Sequence, residues 1–267
     1  MRFAAAGFIC VDYYTNLGGR CYPTGNGVDV LYNLMSMRDD IEGAVISAVG
    51  DDEYGKLLRD SFEERGIDIS RLETVKGAST ASFGMLLNGR DRVHAFPNKG
   101  VMDGYRFSDD AVRYAAGFDC VHVDYQSELC TRLPEIASEG AMIFFDFTKI
   151  RGNDPRAENI YPYLKAGLGS FEEDGEELRS FLRHGCERGA KIMIGTMGEK
   201  GSVAFDGEHF YECGIVETEH LENTVGAGDS YFAGFISALL DGKSIQECMM
   251  SGAARASKVV SHFEPYF

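Results

Sequence analysis

Short apolar runs alternate with stretches of helical spacing along most of the chain. The runs Arg2–Phe8, Gly43–Val49, Asp119–Val123, Ala141–Phe145 and Ala190–Thr196 have the look of strands buried on both faces. Between them, Val28–Met37, Tyr54–Arg65, Asp109–Ala116 and Glu176–Glu187 repeat apolar residues with helical period and predict helices. Alternation of this kind predicts an α/β fold, a doubly wound and mainly parallel sheet with helices on both faces. Two long helices, about Gly226–Leu240 and Ile245–Ser261, complete the pattern.

Two stretches break that rhythm. Residues 10–24 and 78–97 read as strands with a polar face. The second holds Asn88-Gly89 between Phe83–Leu87 and Val93–Phe96, a strong hairpin signal. Far apart in sequence and both outside the α/β pattern, they predict a small sheet projecting from the main body. An ordinary surface hairpin is the plainer alternative. A second hairpin, at Asp206-Gly207, reads as structural. The 267 residues are expected to form one domain.

Charge narrows the ligands. Acidic residues number 42 against 26 basic, for a net charge of −16. Nucleic acid is therefore an unexpected partner, since its backbone is bound by clustered Lys and Arg. A phosphate-bearing ligand would depend on local donors and a divalent metal. No signal pattern or membrane-length apolar run is visible, and the seven cysteines are odd in number and never spaced CxxC. They read as reduced thiols, so a cytoplasmic protein with no membrane partner is expected.

The densest chemistry lies in Asn223–Phe235, where two glycines and a carboxylate open an apolar helical stretch. At Gly226 and Gly228 no side chain keeps an anion from the backbone. The N–H groups of a helix's first turn have no internal partner and can bind phosphate oxygens. Asp229 beside them could take a proton from an attacking hydroxyl. A dinucleotide fingerprint would need glycine where Tyr231 stands. A Walker loop ending at Gly242-Lys243-Ser244 would need glycine at Ser237. The combination points to phosphoryl transfer to an alcohol.

This segment resembles the DTxGAGDxFxxG signature of the ribokinase-like (pfkB) carbohydrate kinases. It matches at Thr224, Gly226, Ala227, Gly228, Asp229 and Gly234, with Tyr231 as the aromatic. The resemblance implies Asp229 as catalytic base and the Gly226, Ala227 and Gly228 amides as an anion hole. It also implies ATP and Mg2+ as cofactors and a small sheet that is a lid over the sugar and often a dimer surface. Asn223 departs from the Asp that in many members helps hold a monovalent cation, so potassium dependence stays open.

Other segments follow the same family. Asp12, after the first strand, stands where members bind sugar hydroxyls. Thr24-Gly25-Asn26-Gly27-Val28-Asp29 resembles GGNxxN, departing at Thr24 and Asp29. Gly25 would let a ligand approach the backbone, and Asn26 would meet hydroxyls or simply cap a helix. Gly50 and Asp51 are substrate-side residues or an acidic helix start. Glu173 aligns with the NxxE glutamate near magnesium, with Ser170 in place of Asn. Thr196, Gly198 and Gly201 match the TxGxxG nucleotide loop, and Asp146 and Lys149 lie where relatives contact phosphates.

Spacings around Gly50–Asp52, Asp91–Val93, Gly100–Met102 and Val121-His122 resemble the fructoselysine 6-kinase branch. That implies phosphorylation of the 6-hydroxyl of a fructosamine. Asp12, Asp29 and Asp124 would then face the amine, and Arg92 from the lid would sit near the carboxylate. A ribokinase, fructokinase or nucleoside kinase, or a non-catalytic sugar-binding regulator, remains the alternative.

Overall fold

The computed structural model describes residues 1–88, 91–148 and 154–267. Strands are β1 (Arg2–Ala6), β2 (Cys10–Tyr14), β3 (Arg20–Thr24), β4 (Glu42–Gly50), β5 (Asp68–Val75), β6 (Ser82–Asn88) and β7 (Asp91–Asn98). They continue as β8 (Cys120–Asp124), β9 (Met142–Asp146), β10 (Leu164–Ser170), β11 (Met193–Thr196), β12 (Ser202–Phe205) and β13 (Phe210–Cys213). The α-helices are α1 (Asn26–Met37), α2 (Glu53–Glu64), α3 (Asp109–Ala116), α4 (Leu133–Ala137) and α5 (Pro155–Glu158). After these come α6 (Glu176–Glu187), α7 (Ala227–Leu240) and α8 (Ile245–Val259).

Nine strands form the large sheet in the order β13-β12-β11-β10-β9-β8-β1-β4-β5. From β11 to β5 all neighbours are parallel, and β12 and β13 join as antiparallel edge strands. The predicted doubly wound class is the one observed. Side chains alternate between two cores: Phe3 and Ala5 of β1 enter one, Ala4 and Ala6 the other. Helices α1, α2, α7 and α8 cover the first core, and α3, α4 and α6 the second. Burial on both faces explains why these strands read as unbroken apolar runs.

Two strands have no counterpart in the sequence pattern. Edge strand β5 buries only Leu72 fully, with Ile69 and Val75 half-buried and the other residues polar. Strand β10 carries Gly167 and Gly169, which dilute its apolar signal. Side chains there would meet Met193 and Phe147 at position 167 and the Phe171 and Phe181 rings at 169.

Residues 10–24 and 78–97 supply the small sheet, ordered β3-β2-β6-β7. Its β6–β7 hairpin pairs Asn88 with Asp91. Gly89 of the predicted turn and the Arg92 side chain lie outside the described residues, as does Lys149. The direction in which strands are added reverses at β1: β4 and β5 build to one side, β8 to β11 to the other. That switch point, at the carboxyl ends of β1 and β8, is where open α/β sheets form a ligand crevice. Among the described residues, no helix is long and apolar enough to cross a membrane.

Candidate functional site

Carboxylates gather at the switch point. Asp124 ends β8, and Asp146 ends the adjacent β9 in register with it. Asp124 accepts from the Phe8 N–H at 3.0 Å and the Gln126 N–H at 2.8 Å. Burial pushes its carboxyl up to about 7, against the pull of those donors and helped by Asp146. Asp146 is also raised by burial, while the Thr148 N–H and the Asn26 amide, each at 2.5 Å, draw it down. Asn26 therefore spends its amide on Asp146 and makes no side-chain cap for α1.

Two sugar-side expectations change on inspection. Gly25 was expected to admit a ligand, but a Cβ there would lie 2.6 Å from the Phe8 carbonyl oxygen. The chain's own close approach accounts for that glycine. Asp29 was expected to meet a substrate amine, yet it is 3% exposed and accepts from the Thr24 hydroxyl at 2.7 Å. Thr24 and Asp29 are the two departures from the family pattern, and they hydrogen-bond to each other. An internal pair explains the acid without a cationic ligand.

Asp12 is also 3% exposed and lies in β2, opposite Tyr22 and Phe83 at the centre of the small sheet. Asp51 and Asp52 are structural: they accept from the Gly77 N–H at 2.9 Å and the Thr80 N–H at 2.8 Å, and Asp52 caps α2. They fasten the segment that leads into β6.

The glycine-rich loop enters α7 through Gly226, whose φ of 69° is left-handed. A Cβ at that position would stand 2.3 Å from the Pro265 Cβ, whereas at Gly228 it would meet nothing within 4 Å. Ser230 makes the first helical bond, to the Gly226 carbonyl at 2.8 Å. The Ala227 N–H, expected to face a ligand, reaches back to the Thr224 carbonyl at a long 3.4 Å. Asp229 is half-buried in the first turn, and Tyr231 anchors the helix through the Ser202 hydroxyl at 2.8 Å. Gly234 lets α8 cross closely, since a Cβ would lie 2.6 Å from the Ser251 carbonyl oxygen.

The remaining predicted residues lie along the same carboxyl edge. Thr196 ends β11, and the turn to β12 runs through Gly198 and closes by a 2.8 Å bond from the Met197 N–H to the Gly201 carbonyl. Glu173 is exposed on the connection that follows β10. Among the described residues, no group of three or more His, Cys, Asp or Glu side chains is arranged to hold a metal. One carboxylate still suits magnesium, which is held largely by phosphates and water.

Sequence reasoning missed the C-terminal segment, residues 262–266. Its carbonyls at His262 and Phe263 meet Asn223, and Pro265 packs on Gly226. On the other side Phe263 packs against Tyr14 and Tyr22, while the Tyr266 hydroxyl donates to the Pro23 carbonyl at 2.8 Å. The segment thus ties the small sheet to the glycine loop. A surface cavity of about 890 Å³, lined by Gly117, Phe118, Pro134 and Gly140, opens beside the amino ends of β8 and β9 and holds none of these residues.

Comparison with known proteins places the chain in a family. Residues 164–267 fit the pfkB family carbohydrate kinase profile. The chain is 32% identical over 259 residues to fructoselysine 6-kinase of Shigella flexneri, covering 97% of both proteins. A fructosamine kinase of Bacillus subtilis is 27% identical, with 97% of this chain and 90% of the relative covered. In fold, the Arabidopsis thaliana ribokinase structure with ribose and ATP superposes with a TM-score of 0.79 at 18% identity, covering 98% of this chain and 93% of the ribokinase. The chain belongs to the pfkB family and is an ATP-dependent carbohydrate kinase.

Proposed function

We propose that the enzyme transfers the γ-phosphoryl group of ATP to the 6-hydroxyl of fructoselysine or a related fructosamine. The observation that carries the chemistry is Asp229, half-buried in the first turn of α7, beside Gly228 whose missing side chain leaves open space. Substrate class draws its support from the full-length similarity to a fructoselysine 6-kinase and a fructosamine kinase.

In this reading the Asp229 carboxylate takes the proton of the sugar hydroxyl as its oxygen bonds to phosphorus. The bond from phosphorus to the bridging oxygen breaks, and ADP leaves. The first-turn amides at Gly226 to Gly228 stabilise charge on the phosphoryl oxygens, helped by the helix dipole. The Ala227 N–H exchanges its weak bond to Thr224 for the phosphoryl group. Magnesium, held on the protein side by Glu173, supplies further charge neutralisation when bound. Thr196, Gly198 and Gly201 border the nucleotide. Asp12 and Asn26 orient the sugar, and Arg92 reaches its carboxylate.

The buried Asp124–Asp146 pair favours a substrate with a cationic amine, because a positive charge relieves two neighbouring carboxylates. The exposed faces of Leu86, Val93 and Phe96 on β6 and β7 suit a homodimer contact through the small sheet.

An ADP-release assay over fructoselysine, fructose, ribose and adenosine tests the substrate. Asp229→Ala should lower turnover by roughly 10² to 10⁴-fold while ATP binding by calorimetry persists. Retained turnover in that variant, or a preference for an unaminated sugar, defeats the reading.

A further inference from the structure

Asn223, at the head of the glycine loop, is 1% exposed and clamps three backbone groups. Its Oδ1 accepts from the Val225 N–H at 2.8 Å. Its Nδ2 donates to the His262 and Phe263 carbonyls, each at 3.2 Å. The opposite amide orientation would set oxygen against two carbonyl oxygens and nitrogen against an N–H, so the hydrogen bonds fix the assignment. Glu222 reinforces the contact, its N–H donating to the Val260 carbonyl at 2.9 Å. Pro265, on the same segment, packs where a Gly226 side chain would be.

A monovalent cation, of the kind implied by the family resemblance, needs an oxygen cradle here. An Asp at 223 facing two carbonyls would provide one. In this chain a nitrogen with two hydrogens stands in that place, and both hydrogens are spent on the carbonyls. The residues present do not fit a cation.

We propose that Asn223 is a positioning residue whose amide replaces a monovalent cation in holding the glycine loop, so that catalysis needs no potassium. This rests on the kinase reading above. The side chain never touches substrate. It acts by joining the C-terminal segment to the loop whose first-turn amides receive the phosphoryl group.

The test compares the full chain with Asn223→Asp and Asn223→Ala in potassium, sodium or tetramethylammonium chloride at equal ionic strength. ADP release is measured with fructoselysine, and melting temperature without any substrate. The wild type should vary less than about twofold in kcat and keep one melting temperature in all three salts. Asn223→Asp loses two donors and gains a repelling oxygen, so its kcat should fall about tenfold or more in tetramethylammonium. Potassium should restore it and raise its melting temperature, with the sugar KM little changed. Asn223→Ala should be slow and indifferent to the salt, which keeps the comparison decisive if the Asp variant does not fold. Several-fold activation of the wild type by potassium, or an Asp variant that folds yet ignores potassium in both readouts, overturns the proposal. Absence of turnover of fructoselysine by the wild type would instead defeat the substrate reading, and the melting temperatures would still judge the clamp.

Discussion

Two glycines two positions apart in the signature serve different ends. Gly226 is left-handed and pressed by Pro265, so its lack of a side chain is a folding requirement. A Cβ at Gly228 would meet nothing within 4 Å, and alanine there would suit the helix slightly better. Gly226→Ala should therefore lower both melting temperature and turnover. Gly228→Ala should keep or slightly raise the melting temperature while cutting kcat by roughly 10²-fold, the scale of one lost oxyanion donor. Equal thermal losses in the two variants would contradict this division. At the same scale, the motif made Gly226 to Asp229 legible, because a short local pattern encodes a helix start. Asp29 was misread because it was judged against the family alone. Its partner was the other departure, Thr24, five residues earlier, and only the folded chain shows them bonded.

Among elements, the strands with two buried faces and the long helices were legible, since burial writes an apolar run or a helical period. Strand β5 was not, because an edge strand need not be apolar, and β10 traded side chains for ring packing. Helix α1 hides a further feature: Gly27 brings it close to His122 of β8, and Phe232 of α7 packs edge-on to the same ring at 5.8 Å. Among the described residues neither ring nitrogen of His122 finds a hydrogen-bond partner. Burial holds its pKa down at about 3, against an ordinary 6.5. Between those values the unfolded chain gains a proton that the folded one refuses, so this histidine costs stability as pH falls through 6.5. His122→Leu removes that cost. It should melt higher than the wild type at pH 7.5, and the gap should widen by about 2 kcal/mol on moving to pH 5. The Asp124 titration runs the other way but is common to both proteins and cancels. A gap that does not change with pH would show that the imidazole is not buried neutral.

For the whole molecule, composition indicated an acidic protein that would meet phosphate only through local donors. The proposed anion loop offers backbone amides, and the Arg92 side chain lies outside the described residues. Alternation along the chain gave the doubly wound architecture, and the hairpin signal gave the small sheet. The C-terminal segment stayed invisible because it joins the glycine loop through its carbonyls and the small sheet through scattered Phe263 and Tyr266 contacts, neither of which makes a periodic pattern. The outer face of the small sheet carries Phe96 at 58% exposure with Val93 and Leu86 beside it. If that face joins two copies, Phe96→Asp should sediment as a monomer where the wild type sediments as a dimer. A wild type that is monomeric at micromolar concentration would rule the contact out.

The small sheet is threaded through the molecule rather than hung from one end. The chain leaves the large sheet after β1, returns at Gly25 to begin α1, leaves again after β5 and returns before α3. No single cut can remove it, and no single insertion could have supplied it. Its strands are interleaved in the chain with β1, β4 and β5 of the large sheet, so it cannot be exchanged between proteins as a cassette. A redesign of sugar preference would accordingly act on individual side chains within a fixed weave.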